Sequence, residues 1–132
     1  MEAHYNLASM YGEGKGVEKD KKKEIFHLEQ AAIGGHPTAR HILGCRELDN
    51  NKIERAKRHF IIAANLGFDD SVEALKHVYV VGHVSKEEFA AALRAHQAAV
   101  DATKSLQREA EDAVIAAGEA ILKQARLDIM RG

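Results

Sequence analysis

Much that a sequence can carry is missing from these 132 residues: there is no tryptophan, one proline and one cysteine, and the aromatic share is 5%. A single thiol, Cys45, forms no intrachain disulfide and builds no cysteine-based structural zinc site, so a reducing compartment, cytoplasmic or nuclear, is expected. No apolar run approaches a membrane span, and the opening Met1-Glu2-Ala3-His4-Tyr5-Asn6 lacks the basic and apolar regions of a signal peptide. Charge of one sign is absent as well. The 19 basic and 20 acidic residues leave a net −1, which gives no sequence-wide field to hold nucleic acid or an anionic membrane.

What is present in excess is alanine, 22 residues of it. Alanine is the best helix former, and together with the scarcity of aromatics it argues against an all-β fold. The length suits one domain with one core. An internal repeat then narrows the architecture. Leu28-Glu29-Gln30-Ala31-Ala32-Ile33-Gly34-Gly35 superposes on Phe60-Ile61-Ile62-Ala63-Ala64-Asn65-Leu66-Gly67 at an offset of 32, which also aligns Leu43 with Leu75. Upstream the offset is 36, pairing Ala3 with Ala39, Leu7 with Leu43 and Ala8 with Gly44, so the second unit is four residues shorter in its internal loop. Two-helix units of this period make an α-solenoid of antiparallel helix hairpins.

Each unit divides into a helix A and a helix B. Ala3, Leu7, Ala8 and Tyr11 share a face of the first helix A, which the glycines at 12, 14 and 16 break. Asp20 is placed to cap helix B, whose apolar stripe of Ile25, Leu28, Ala31 and Ala32 ends at Gly34-Gly35. The second unit opens at Pro37, turns at Asp49-Asn50-Asn51 and closes at Gly67. The third runs through Val72, Leu75, Val78 and Tyr79 and turns at Gly82, and Ser85-Lys86-Glu87-Glu88 forms a capping box that starts another helix.

Leu7-Ala8-Ser9-Met10-Tyr11, followed by Gly14-x-Gly16-Val17-x-x-Asp20 and then Ala31-Ala32-x-x-Gly35, resembles the Sel1-like repeat, a relative of the tetratricopeptide repeat. Three units, 2–35, 36–67 and 68–103, are expected. Glu24 departs from the pattern, standing where the family usually has alanine, and His27-Leu28 replaces its aromatic pair. The resemblance implies a superhelix that acts as a scaffold or adaptor, binding a protein or peptide on the concave face lined by the A helices. In the related tetratricopeptide clamps an asparagine at the place of Asn6 binds peptide backbone. That role carries over to Asn6 alone, since Ile42 and Ala74 occupy the matching places.

With Leu7, Leu43 and Leu75 marking the core phase, the residues two before and two after each leave the core stripe. These are Tyr5 and Ser9, His41 and Cys45, and Glu73 and His77, with Asn6 beside them, and they form the candidate partner-binding groove. His41, Cys45, Glu73 and His77 are also the residues from which a transition-metal site could be assembled, which makes a metal-binding or hydrolase-like site in the same groove the alternative reading. The bland reading of the four is a polar groove with a half-buried thiol, so no metal and no cofactor is assigned. Gly-x-Ser-x-Gly, the P-loop, His-Glu-x-x-His and the dinucleotide fingerprint are all absent, so no catalytic residue is assigned and no enzyme is expected. Lys19-Asp20-Lys21-Lys22-Lys23-Glu24 reads as the solvated start of a helix, with no aromatic series beside it to stack nucleic-acid bases.

The remainder, 104–131, carries Leu106, Ala110, Ala113, Val114, Ala117, Ile121 and Leu122 at helical spacing. It is expected to cap the open end of the solenoid by folding back through Leu106, Ala110, Val114 and Ile121, or else to dock on a partner. The chain enters a helix at once without a leading cap, as a piece of a longer protein would, which leaves its amino-terminal face and its last helix as the two expected routes to homo-oligomers.

Overall fold

The computed structural model describes residues 1–132 as six α-helices without a strand. α1 (Glu2–Glu13) ends where Gly14 turns left-handed at φ +75° and donates its N–H to the Met10 carbonyl. α2 (Lys21–Ile33) starts at Asp20, whose carboxylate accepts from the Lys22 and Lys23 amides at 3.0 and 3.1 Å. α3 (Pro37–Asp49) has its proline in the first turn, where the missing N–H costs nothing. α4 (Ile53–Asn65) follows across the tight turn 50–52, against the longer loop 14–20 between α1 and α2, and this difference produces the change of offset in the sequence. α5 (Asp69–Val80) leads to the capping box: the Glu88 N–H donates to Ser85 Oγ at 3.0 Å while the Ser85 N–H donates to the Glu88 carboxylate at 3.2 Å. α6 runs from Lys86 to Arg131. No helix is long and apolar enough to cross a membrane.

The chain divides into two units, Met1–Ala99 and Val100–Gly132. In the first, α1 packs on α2 and α3 on α4 as hairpins, α2 packs on α3, and α4 on α5, which is the stacking of a helical solenoid. Its interior holds two clusters, Ala8, Leu28, Ala31, Ala32, Ala39 and Leu43 in one, and Ala56, Phe60, Ala64, Leu75, Val78, Val84 and Ala92 in the other. Corresponding residues do corresponding work: Leu28 and Phe60 are buried, and Gly35 and Gly67 stop α2 and α4 at φ +91° and +92°.

The hairpins also exchange volume between facing positions. Ala8 opposes Leu28 in the first, whereas the matching Gly44 faces Phe60 in the second, and a Cβ on Gly44 would stand 2.6 Å from Phe60 Cε1. One turn further along, Gly12 and Glu24 occupy the places that Leu48 and Ala56 take in the second hairpin. A Cβ on Gly12 would overlap Glu24 Oε2, so the glycine is what makes room for a carboxylate where Ala56 is small. Glu24 is 5% exposed, and Arg46 of α3 donates to its Oε1 from Nε at 2.8 Å and from Nη2 at 2.7 Å. The departure from alanine at 24 is thus compensated twice, by a glycine on α1 and by a cation on the next unit.

One expectation is corrected. Leu7, placed in the core phase with Leu43 and Leu75, is 38% exposed. Leu43 is covered because it packs in one cluster with Leu28, Ala31 and Ala32 of the preceding hairpin, a cluster that does not include Leu7. In the last segment Leu106, Val114 and Ile121 are 67%, 72% and 69% exposed, Ala110 is exposed too, and α6 runs unbroken through 103/104. Between Lys86 and Gly118 there is no proline and no glycine, so nothing stops this helix as Gly35 and Gly67 stop α2 and α4. A run rich in alanine continues as one helix on propensity.

Candidate functional site

The A helices α1 and α3 bound a cleft of about 240 Å³, lined by Tyr5 and Ser9 on one side and Ile42 and Arg46 on the other, with buried Ala8 and Leu28 at its base. Tyr5 is half-buried, its ring stacked on the His36 imidazole with centroids 4.3 Å apart, and His36 in turn bonds Glu2 through Nε2 at 2.8 Å. The tyrosine is therefore held rigidly as a wall. Asn6 and Ser9 are exposed on the same helix. The Glu24–Arg46 pair closes one end of the cleft, so its polar lining is fixed by an ion pair that is largely shielded on the carboxylate side.

His41 and Cys45 sit differently. His41 lies between the rings of Phe60 and Phe68, both at 5.2 Å between centroids, with Nδ1 2.7 Å from Ser71 Oγ and Nε2 3.6 Å from Cys45 Sγ. Burial lowers the His41 pKa against the pull of Asp70, and burial, with Asp49 adding, raises that of the Cys45 thiol. A neutral imidazole carries one N–H and one lone pair, so of its two contacts, with Ser71 Oγ and Cys45 Sγ, one nitrogen donates and the other accepts. Both imidazole nitrogens are thus engaged inside the chain, and Cys45 packs against the second core cluster. These two groove candidates tie α3 to α5 rather than facing a ligand with open bonds.

Glu73 and His77 are exposed on α5. The structure brings His41 to Cys45 and adds Ser71, but no three His, Cys, Asp or Glu side chains lie close enough to hold a metal ion. Ser71, His41 and Cys45 in a row also fail as a nucleophile with its base. Ser71 is 0% exposed, and a thiol whose pKa is pushed up is the reverse of an activated one.

The sequence pointed to Glu24 only as a departure from pattern and gave no sign of Arg46 as its partner. Ser71 had no signal at all, being a single hydroxyl on the apolar side of a helix. The family model of the Sel1 repeat matches residues 2–36 and 48–68. No curated protein and no solved structure matches the chain.

Proposed function

Since the Sel1-repeat model matches residues 2–36 and 48–68, and Sel1 repeats generally mediate protein–protein interaction, we propose that the chain is an interaction scaffold that holds a peptide or helix of a partner along the face of its A helices. The cleft between α1 and α3 carries the reading. It combines an aromatic wall at Tyr5, an aliphatic one at Ile42 and the exposed hydroxyl of Ser9, the mixture that fixes the register of a bound segment, and Asn6 is exposed outside its lining on the same helix. Asn6 meets the partner's backbone, as its match to the tetratricopeptide clamp implies, and Glu73 and His77 extend the contact onto α5. Tyr5 meets the partner as the wall of the cleft, and His41 and Cys45 contribute as the packed support beneath these residues.

The test is a peptide library selected on the full chain, with the winning peptide mapped by amide shifts. Shifts along α1, α3 and α5, and binding lost in Asn6→Ala and His77→Ala at unchanged melting temperature, support the reading. Selected peptides that bind Asn6→Ala and His77→Ala as tightly as the parent overturn it.

A further inference from the structure

A second cleft, of about 430 Å³, lies on the side of the B helices, between α2 and α4 with α3 as its base. Its α2 wall is aliphatic, with Ile25 and the 75% exposed Ile33, and Leu43 continues that surface below. The base adds Arg40 and Glu47 of α3, and the opposite wall presents Arg55 and His59 of α4. The buried side-chain atoms without a hydrogen-bond partner are Arg40 Nε, Glu47 Oε2 and His59 Nδ1, and all three residues line this one cleft.

Their neighbours do not satisfy them. Arg40 uses Nη2 to donate to the Ala32 carbonyl at 3.2 Å, which anchors the guanidinium and leaves the Nε–H over. Arg55 pairs with Glu47 Oε1 at 3.4 Å, which leaves Oε2 over. Burial and the nearby Arg40 cation lower the His59 pKa, so the ring is a neutral group with a donor or acceptor to offer. Arg40, Arg46, Lys52 and Arg55 outnumber the carboxylates Glu29 and Glu47 around the rim, so the cleft favours an anion.

We propose that this outer cleft is a second binding site, for an acidic–aliphatic peptide segment. These three atoms are closed to solvent, so binding first swings the exposed Arg55 side chain off Glu47; an aspartate or glutamate side chain of the segment then accepts from Arg40 Nε–H and from His59, a backbone N–H donates to Glu47 Oε2, and the neighbouring aliphatic side chain lies on Ile25, Ile33 and Leu43. An inorganic anion leaves the Glu47 carboxylate facing like charge, and water leaves the aliphatic wall wet. A peptide supplies a charged acceptor, a neutral donor and an apolar surface within one residue of each other. The site stands apart from the A-helix groove, so either can fail alone.

The experiment titrates the isotope-labelled full chain with a capped peptide of alternating glutamate and leucine, reading the Arg40 Nε–H and the backbone amides. The expected result is a saturable shift of Arg40 Nε–H and of α2 and α4 amides, with the Asn6 and Ser9 amides still. Replacing the peptide's glutamates by glutamine, or His59 by glutamine, should each weaken binding about tenfold or more, the effect of losing a hydrogen bond to a charged group. His59→Gln leaves the Arg40 anchor to Ala32 intact, so a weak result there is not a folding defect. Absence of a saturable shift, equal binding of the glutamine peptide, or sodium acetate alone moving Arg40 Nε–H as far as the peptide does would each overturn the proposal.

Discussion

Gly12→Ala is the substitution whose sign tests the account of the first hairpin. Alanine at an ordinary helical position stabilises by about 0.5–1 kcal/mol relative to glycine. Here the new methyl would overlap Glu24 Oε2 and stand 3.0 Å from its Cδ. A carboxylate end normally swings aside, but this one is buried and held by two bonds from Arg46, so moving it strains both. Overpacking of this kind costs about 1–3 kcal/mol, so the net expectation is a loss of about 1–2 kcal/mol. In a Glu24→Ala background the obstacle is gone, and the same Gly12→Ala should gain about 0.5–1 kcal/mol, a coupling of about 2 kcal/mol. Arg46 is 45% exposed on its side chain and stays hydrated when its partner is removed, so Glu24→Ala itself should be nearly neutral. Thermal melts of the four proteins decide it, at about 4–8 °C per kcal/mol for a unit of this size. Gly12→Ala changing stability by the same amount and sign in both backgrounds would refute the reasoning.

Three further outcomes are expected. Gly44→Ala should cost about 1–3 kcal/mol by driving Cβ into the Phe60 ring, and Phe60→Leu added to it should recover most of the loss, because the pair then copies Ala8 over Leu28; denaturant midpoints measure both. Burial lowers the pKa values of His41 and His59, so the unfolded chain takes up protons first as pH falls below 6.5; stability should therefore decline from there down to the folded-state pKa values and level off beneath them, with a shallower decline in His41→Gln. Deleting residues 104–132 should lower the melting of the repeat unit by several degrees if this segment caps it, as the sequence leads one to expect; an unchanged melt refutes the cap, and sedimentation of the two forms shows whether this helix joins copies.

Repeat spacing, caps and glycine stops were readable because each is a local rule acting within a turn or two. Asp20, the capping box at Ser85, the turn at Asn50-Asn51 and the glycines at 35 and 67 all do what their side chains dictate. Burial was readable only where a neighbour exists. The leucine at 43 and the one at 7 obey the same periodicity, and what separates them is the hairpin that packs in front of the first. The groove suffered from the same limit. Counting two residues from a core leucine identifies a flank, but whether that flank faces solvent or the next helix depends on the stacking of units. Asn6, Ser9, Glu73 and His77 are exposed, whereas His41 turned inward to Ser71 thirty residues away, a contact set by stacking that no pattern within one helix reveals.

The odd carboxylate at 24 has consequences beyond its own hairpin. Alanine there, as at Ala56, would leave Arg46 to solvent and to Asp49 at 4.0 Å. Glutamate draws the guanidinium across the seam between the first two units, where Arg46 becomes the one residue that lines both the inner and the outer cleft. One buried acid thus fixes the polar end of two surfaces that lie on opposite sides of α3. The same Glu24→Ala protein that is nearly neutral in a melt should then differ from the parent on both faces when peptides are titrated. A repeat can hold its fold with alanine at this place, so what the glutamate adds is a fixed position for a cation that would otherwise be mobile.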